Sequence, residues 1–216
     1  MMNEFVSIIG GSFFDPIATL LEKLEKHDKG DQPTIKAGYY ENAYAISIII
    51  LAVASLESYT MRVRYMNNAT GKDLDSKPVP SYLNDLYQDF PYLAEAKELF
   101  VIRDILMHNH LWEVSIDRNP NGDMSLRSSN RRSSGDRKYA ENVDASTGKT
   151  KRLGLNTNPA NVGPKDARTV LQWVWKVLLF LESKNRNQCY VSHLYVDYKR
   201  KMVPFGKIIG MPETVT

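Results

Sequence analysis

One run of apolar residues predicts the centre of the fold, AYAISIIILAVASL at residues 43–56. Glu41 and Asn42 precede this run, and Glu57 follows it. At 14 residues it is shorter than the roughly 20 that a bilayer requires, and a helix that is apolar on all sides is typical of the buried centre of a bundle. We therefore expect a core helix over residues 41–66, ended by the sequence NNATG at 67–71.

Apolar residues at helical spacing predict four further helices around this core helix. Asp15 followed by Pro16 is typical of a helix start, with an N-cap residue before a proline at the first helical position. The spacing then continues to about His27. The other helices are expected at 81–89, from Pro91 to His108 or His110, and at 164–184. The expected fold class is all-α, a bundle of four to five helices in one domain over residues 1–216.

The segments outside these helices have a different character. Residues 111–117 (LWEVSID) and 124–129 (MSLRSS) flank the turn sequence NPNGD and predict a β-hairpin. The residues after this hairpin are polar, rich in Ser and Gly, and have little to bury. We therefore expect residues 111–163 to form a β-hairpin and a flexible basic insertion. Residues 189–216 are expected as a C-terminal extension with a second small hairpin.

The composition is that of an ordinary soluble protein, with 216 residues, 43% of them hydrophobic, and a net charge of +3. The single cysteine, Cys189, excludes an internal disulfide. Residues 117–152 contain nine bases and five acids, so the positive charge lies in this segment and the rest is nearly neutral. The N-terminal sequence carries Glu4 and no basic region, unlike a signal peptide. We expect a cytoplasmic protein that does not associate with membranes.

The residues that suggest chemistry end the helix after Pro91, in the sequence VIRDILMHNH at 101–110. On a helix Asp104 and His108 are four residues apart and share a face, so the carboxylate would orient the imidazole. Arg103 lies five positions from His108, about 140° round an ideal helix. A straight helix would therefore not direct both side chains at one atom. Either the helix distorts near its end, or a second chain completes the site.

An arginine and a histidine together are sufficient for one particular reaction. Arginine binds a phosphate bidentately and neutralises the charge of a pentacoordinate phosphorane. Histidine accepts the proton of a ribose 2′-hydroxyl or donates one to the leaving 5′-oxygen. This chemistry cleaves RNA without a metal and spares DNA, which lacks the 2′-hydroxyl.

The sequence Arg103-Asp104-x-x-x-His108 at the end of a helix resembles the R-x4-6-H motif of HEPN domains (higher eukaryotes and prokaryotes nucleotide-binding). The resemblance covers residues 12–110 and 164–187. It implies a helical bundle that dimerises so that two motifs share a cleft, and a metal-independent endoribonuclease of the kind found among toxins and phage-defence effectors. Arg103 would be the phosphate clamp, His108 the acid and base, and Asp104 the orienting residue. Other members of the family lack the catalytic residues and act as binding modules.

Several further residues have two interpretations. Glu57 either faces Arg103 across the bundle or is the first exposed residue after the apolar run. His110, with Asn109 beside it, competes with His108, since Arg103 to His110 also fits R-x6-H, as does Arg186 to His193. The basic residues of the insertion either bind RNA phosphates or keep a loop soluble. The residues expected to contact RNA are Arg131, Arg132, Arg137 and Lys138.

Stronger signatures of other enzyme classes do not occur. The sequence has no GxxxxGK[ST], HExxH or G-x-S-x-G motif and no paired CxxC, and we expect neither a cofactor nor a metal. Two functions remain. The first is a homodimeric endoribonuclease that cleaves RNA and is controlled by an antitoxin protein. The second is a non-catalytic module that binds RNA, a nucleotide or a partner protein.

Overall fold

Four long helices form the body of the protein in the computed structural model. The model describes residues 9–27, 34–35, 40–108, 111–122, 124–132 and 136–211. Helices α1, α2, α5 and α7 are the long ones, and the expected helical bundle is confirmed at this level. The α-helices of the described residues are α1 (Phe14–His27), α2 (Tyr40–Met66), α3 (Lys72–Asp75), α4 (Val79–Leu86), α5 (Leu93–Met107), α6 (Arg137–Asn142), α7 (Pro164–Lys184) and α8 (Phe205–Ile208).

Helix α2 is the centre of the core, as its apolar run predicts. It packs against α1, α5 and α7. Ile48, Ile49 and Leu56 of α2 are fully buried among side chains such as Leu99 of α5 and Leu178 of α7. Residues 42–66 are long and apolar enough to cross a membrane, but half of the most apolar window is buried inside the protein. Helix α2 thus has the burial of a core helix, which is consistent with a soluble protein.

Three helix ends differ from the sequence-based prediction. A 3-10 turn over Ile9–Phe13 leads directly into α1, so Asp15 lies within the first turn and not at the N-cap. Helix α4 begins at Val79, and Ser81 lies inside it. Helix α5 ends at Met107, and the backbone of His108 is extended with φ −90° and ψ 132°. Each difference moves a boundary by a few residues, because several neighbouring residues can end a helix with similar free energy.

The hairpin expected after α5 is present. Strands β2 (Leu111–Arg118) and β3 (Met124–Arg132) pair antiparallel, with a bulge between Ser115 and Ile116. Strand β1 (Thr34–Ile35) pairs with the other side of β3. The turn contains Gly122 at φ 82°, a conformation that side chains with a Cβ rarely adopt. The NPNGD sequence therefore functions as the predicted turn.

Residues 136–163 are folded onto the bundle, in contrast to the flexible insertion that their polar composition predicted. Helix α6 leads into a short hairpin of β4 (Val143–Asp144) and β5 (Lys149–Thr150). Val143 is buried with Val101 and Ile105 of α5, and Tyr139 packs beside them. The composition was misleading because a few apolar residues and backbone hydrogen bonds are enough to anchor a segment of this length.

A carboxylate of α5 holds the end of this segment. Glu98 is only 2% exposed, and it accepts hydrogen bonds from the backbone amides of Arg152 (2.7 Å) and Leu153 (2.8 Å). A buried carboxylate requires such donors. Glu98 thus fixes the polar segment against the same helix that carries Arg103.

The C-terminal extension contains the second expected hairpin. Strands β6 (Tyr195–Tyr198) and β7 (Lys201–Pro204) pair antiparallel, and the short helix α8 follows them. Lys199 and Arg200 form a two-residue turn with φ of 53° and 63°. Phe205 packs against Phe14 and Trp175, so the extension contacts the start of α1 and the middle of α7.

Candidate active site

Arg103 lies in an ion-pair cluster between α2 and α5. Its Nη1 atom is 3.5 Å from Oε2 of Glu57, so of the two interpretations of Glu57 the contact with Arg103 is observed. Its Nε is 3.0 Å from Oδ1 of Asp104, but the N–H does not point at that oxygen, and the contact is an ion pair without a hydrogen bond. The guanidinium also lies over the ring of Phe100, 5.3 Å from its centroid. These contacts hold a half-buried cation in a defined position.

Asp104 connects this cluster to α6. Its Oδ2 accepts a hydrogen bond from Nζ of Lys138 at 2.7 Å. Lys138 is one of the basic residues expected to contact RNA, and the structure places it beside the motif because α6 packs on α5. The carboxylate of Asp104 therefore links Arg103 to a second cation.

His108 lies beyond the last residue of α5 and is exposed. Its amide donates to the carbonyl oxygen of Asp104 at 2.9 Å, which closes the helix. This is the helical i to i−4 bond, so the four-residue spacing between Asp104 and His108 is kept, and the chain leaves the helix only after His108. Asn109 and His110 lie outside the described residues.

The other basic residues of the sequence-based prediction lie on α6 and on β3. Arg137 is almost fully exposed and donates from Nε to Oε1 of Glu141 at 2.7 Å on the same helix. Arg131 and Arg132 lie at the end of β3, and their side chains are outside the described part of the structure. Lys138 is thus the member of this group whose side chain is shown to join the cluster.

A cavity of about 610 Å³ opens beside Arg103. Helices α2, α4, α5 and α6 contribute its walls, together with the connection between α3 and α4. Five of its residues are basic and two are acidic, which gives it a positive character. His108 does not line it. The charged residues of the lining are Glu57, Arg64, Lys77, Lys97, Arg103, Lys138 and Glu141.

Arg64 and Lys97 belong to this cavity, although the sequence analysis did not identify them. Arg64 is only 4% exposed and donates to the carbonyl oxygens of Leu74 (2.9 Å) and Lys77. Burial lowers the pKa of Arg64. A signal for this residue does exist, because Glu57, Met61 and Arg64 follow one another at helical spacings of four and three. Lys97 has no comparable signal.

A second arginine–histidine pair lies just after the C-terminal end of α7. The NH2 atom of Arg186 is 3.4 Å from Nε2 of His193, so the looser R-x6-H match brings its two side chains together. The guanidinium lies 4.5 Å from the ring centroid of Tyr190. Nδ1 of His193 is 3.1 Å from Oγ of Ser192, whose hydroxyl donates to Glu182 at 2.6 Å. This chain of contacts ties the pair to the C-terminal end of α7.

Cysteine and metal chemistry receive no support from the described residues. Cys189 is fully buried, and burial raises the pKa of its thiol well above the usual range. Within the described ranges, no three His, Cys, Asp or Glu side chains gather into a group that could hold a metal ion. The titratable groups in the cluster around Arg103 are Glu57, Asp104 and Lys138.

Comparisons of the chain with models of protein families, with curated proteins and with solved structures find no match. Function must therefore be argued from the residues themselves.

Proposed function

We propose that the protein is a metal-independent endoribonuclease of the HEPN type, which acts in the cytoplasm as a homodimer. The observation that carries the proposal is the position of Arg103. Glu57 and Asp104 hold its guanidinium beside a positively charged cavity, and α5 ends a few residues later at the exposed His108. A fixed guanidinium binds the scissile phosphate, and an exposed imidazole is accessible to RNA.

The reaction would proceed by attack of the ribose 2′-oxygen on the adjacent phosphorus. The imidazole of His108 in one protomer takes the proton of the 2′-hydroxyl as the bond between the 2′-oxygen and phosphorus forms. The bond from phosphorus to the 5′-oxygen breaks, and the His108 of the other protomer donates a proton to that oxygen. Arg103 neutralises the charge of the phosphorane. The products carry 2′,3′-cyclic phosphate and 5′-hydroxyl ends.

Each residue of the cluster has a role in this proposal. Glu57 and Asp104 orient Arg103. Lys138 lies one carboxylate away and adds positive charge at the cleft, and Arg137 with Arg131 and Arg132 extends that charge along the RNA. As a toxin or phage-defence effector, the enzyme would be restrained by an antitoxin protein.

The test is cleavage of a defined RNA by the purified protein in EDTA, beside DNA of the same sequence. We expect RNA alone to be cleaved, with cyclic phosphate ends, and cleavage to be lost in both Arg103→Ala and His108→Ala. Growth arrest on overexpression should be relieved by either substitution. Unchanged cleavage by His108→Ala would overturn the assignment of the histidine.

A non-catalytic binding module is the second candidate, and one observation favours it. The cavity beside Arg103 does not include His108, so one protomer offers a site for an anion without an imidazole facing it. Such a module would bind RNA, a nucleotide or a partner protein and leave RNA intact. RNA binding without cleavage, unaffected by His108→Ala, would favour this function over the nuclease.

A further inference from the structure

The cavity beside Arg103 has a wall from each of four segments. Glu57, Met61 and Arg64 line it from α2, and residues 76–81 line it from the connection before α4 and from the first turn of α4. Lys97, Phe100 and Arg103 contribute from α5. Helix α6 closes the cavity with Lys138, Glu141 and Asn142. Its volume of about 610 Å³ is within the roughly 300–1,000 Å³ typical of ligand sites.

Three carboxylates outside the lining offset the cavity's excess of three positive charges, but they pair with only two of the lysines. Lys77 is paired with Asp73 at 2.8 Å and with Asp85 at 2.7 Å, and Lys138 is paired with Asp104. Lys97 is exposed and has no ion-pair partner among the described residues. The mouth of the cavity therefore presents a cation to solvent, and an anion is the complementary ligand.

Two donors in the cavity wall also lack acceptors within the described residues. The Nε atoms of Arg64 and Arg103 are buried and make no hydrogen bond. The side chain of Arg64 is more than nine-tenths buried. Because these two atoms are inaccessible to solvent, they show that both guanidinium groups are held within the wall of the cavity.

The rest of the wall is apolar and suits a flat ring. Met61 is 41% exposed, and Phe100, Pro78, Val79 and Pro80 are the other apolar residues of this part of the lining. Ser81, Glu141 and Asn142 supply polar groups at the edge. A ligand that combines an anionic group with an aromatic ring matches these walls, and an unstacked nucleotide of RNA has both.

We propose that this cavity is a nucleotide subsite, which receives one unpaired base of the RNA against Met61 and the proline-containing wall. The adjoining phosphates contact Lys97 and Arg103. This assignment rests on the proposed function, because it takes RNA as the ligand. It makes Lys97 a binding residue and makes the cavity shape a determinant of which RNA is bound.

The test measures RNA binding without cleavage, by fluorescence anisotropy of a labelled single-stranded RNA in a His108→Ala background. Adding Lys97→Glu should weaken binding roughly tenfold, while the same charge change at Lys207→Glu on α8 should have less than a twofold effect. Adding Ser81→Trp should fill the cavity and weaken binding, and Ser81→Ala should not. Circular dichroism melting checks that each variant is folded, and Lys97→Glu tests the proposal even if Ser81→Trp does not fold.

The base-binding part of the proposal is tested with a duplex of the same sequence as a competitor. We expect the single strand to bind more tightly, and Ser81→Trp to remove this preference. Equal binding by Lys97→Glu and Lys207→Glu would overturn the subsite while leaving the nuclease intact if the wild type still cleaves RNA. Conversely, the expected binding pattern without cleavage would support the subsite and overturn the nuclease. Absence of RNA binding by every variant would overturn both.

Discussion

Glu57 of α2 and Arg103 of α5 form an ion pair across the bundle, with Oε2 and Nη1 3.5 Å apart. The two residues are 46 positions apart in the sequence, and each side chain is partly exposed, 43% for Glu57 and 23% for Arg103. A pair so exposed contributes little to stability, about 0–1 kcal/mol. Its significance is geometric, because the carboxylate limits where the guanidinium can be.

We predict that Glu57→Gln displaces the guanidinium of Arg103 and leaves the stability of the fold nearly unchanged. The free energy of unfolding in urea should change by less than about 1 kcal/mol. RNA cleavage should fall roughly tenfold in kcat with little change in KM, since a displaced guanidinium stabilises the transition state less well. Glu95→Gln, the same substitution in the first turn of α5, is the control. A fall in stability without a fall in kcat would show that Glu57 is structural.

Substitutions in the motif of Arg103 and His108 and in the pair of Arg186 and His193 should have opposite effects on RNA cleavage. Arg103→Ala should lower cleavage at least about a hundredfold, as expected for loss of a group that stabilises transition-state charge. Arg186→Ala and His193→Ala should leave cleavage within twofold of the wild type, although their side chains are in contact. The measurement is the rate of cleavage of one RNA by all four proteins at saturating enzyme. If only His193→Ala lost cleavage, the active site would be assigned to His193 after the end of α7.

Glu25 of α1 is predicted to make the free energy of unfolding decrease at acidic pH. Burial by itself raises the pKa of Glu25, but hydrogen bonds from Lys199, Tyr198 and Arg168 outweigh it and lower the pKa from 4.5 to about 2. The folded state is therefore stabilised by the charged carboxylate above pH 4.5, and this contribution is lost as the pH falls toward 2.

The corresponding measurement is urea denaturation of the wild type and Glu25→Gln over this pH range. The free energy of unfolding of the wild type should fall more steeply, by at most about 3 kcal/mol and by less once solvent screening is included. Glu95→Gln should follow the wild type. Parallel curves for the wild type and Glu25→Gln would contradict the prediction.

Glu98 is predicted to hold the folded insertion on α5. Glu98→Ala leaves the amides of Arg152 and Leu153 without their acceptor and should lower the free energy of unfolding by about 1–3 kcal/mol. Hydrogen exchange should accelerate at residues 149–155 and remain slow in α2. Glu98→Gln keeps one acceptor oxygen and should recover part of the protection. If hydrogen exchange became faster in α2 as well, Glu98→Ala would instead destabilise the whole fold.

Gly10 is predicted to be required for the approach of the N-terminal turn to α2. A Cβ at this position would lie 2.8 Å from the carbonyl oxygen of Ser55 and 2.8 Å from Cβ of Ser58. Gly10→Ala should therefore destabilise the fold by about 1–3 kcal/mol. Gly11→Ala is the matched control, because its Cβ would meet only the hydroxyl of Tyr59, at 3.4 Å. Equal melting temperatures for the two variants would contradict this.

Local sequence patterns were sufficient for the four long helices, for α4 and for the hairpins β2–β3 and β6–β7. The apolar run at 43–56 predicts a buried helix because burial of its side chains dominates the free energy of that segment. Asn119, Pro120 and Gly122 predict the turn between β2 and β3 because the turn conformation is determined within four residues. These helices and turns depend on residues that are close in the sequence, so a local pattern is enough to predict them.

Pairings between distant segments had a weaker basis in the sequence. The sequence suggested Glu57 as a partner of Arg103, but only as one of two interpretations, since no local rule fixes how α2 and α5 face each other. The folding of residues 136–163 was not predicted, because it depends on Val143 meeting Val101 and Ile105, and on Glu98 meeting two amides. Each contact joins residues that are tens of positions apart.

The sequence by itself determined the helical class of this protein, its central helix and the residue types of the Arg103–His108 motif. Only the tertiary structure decided that α5 ends before His108, that Lys138 reaches Asp104, and that Lys97 and Arg64 share a cavity with Arg103. The physical reason is that secondary structure follows from local periodicity and turn chemistry. A binding site follows from the packing of helices, which brings together charges that no short pattern connects.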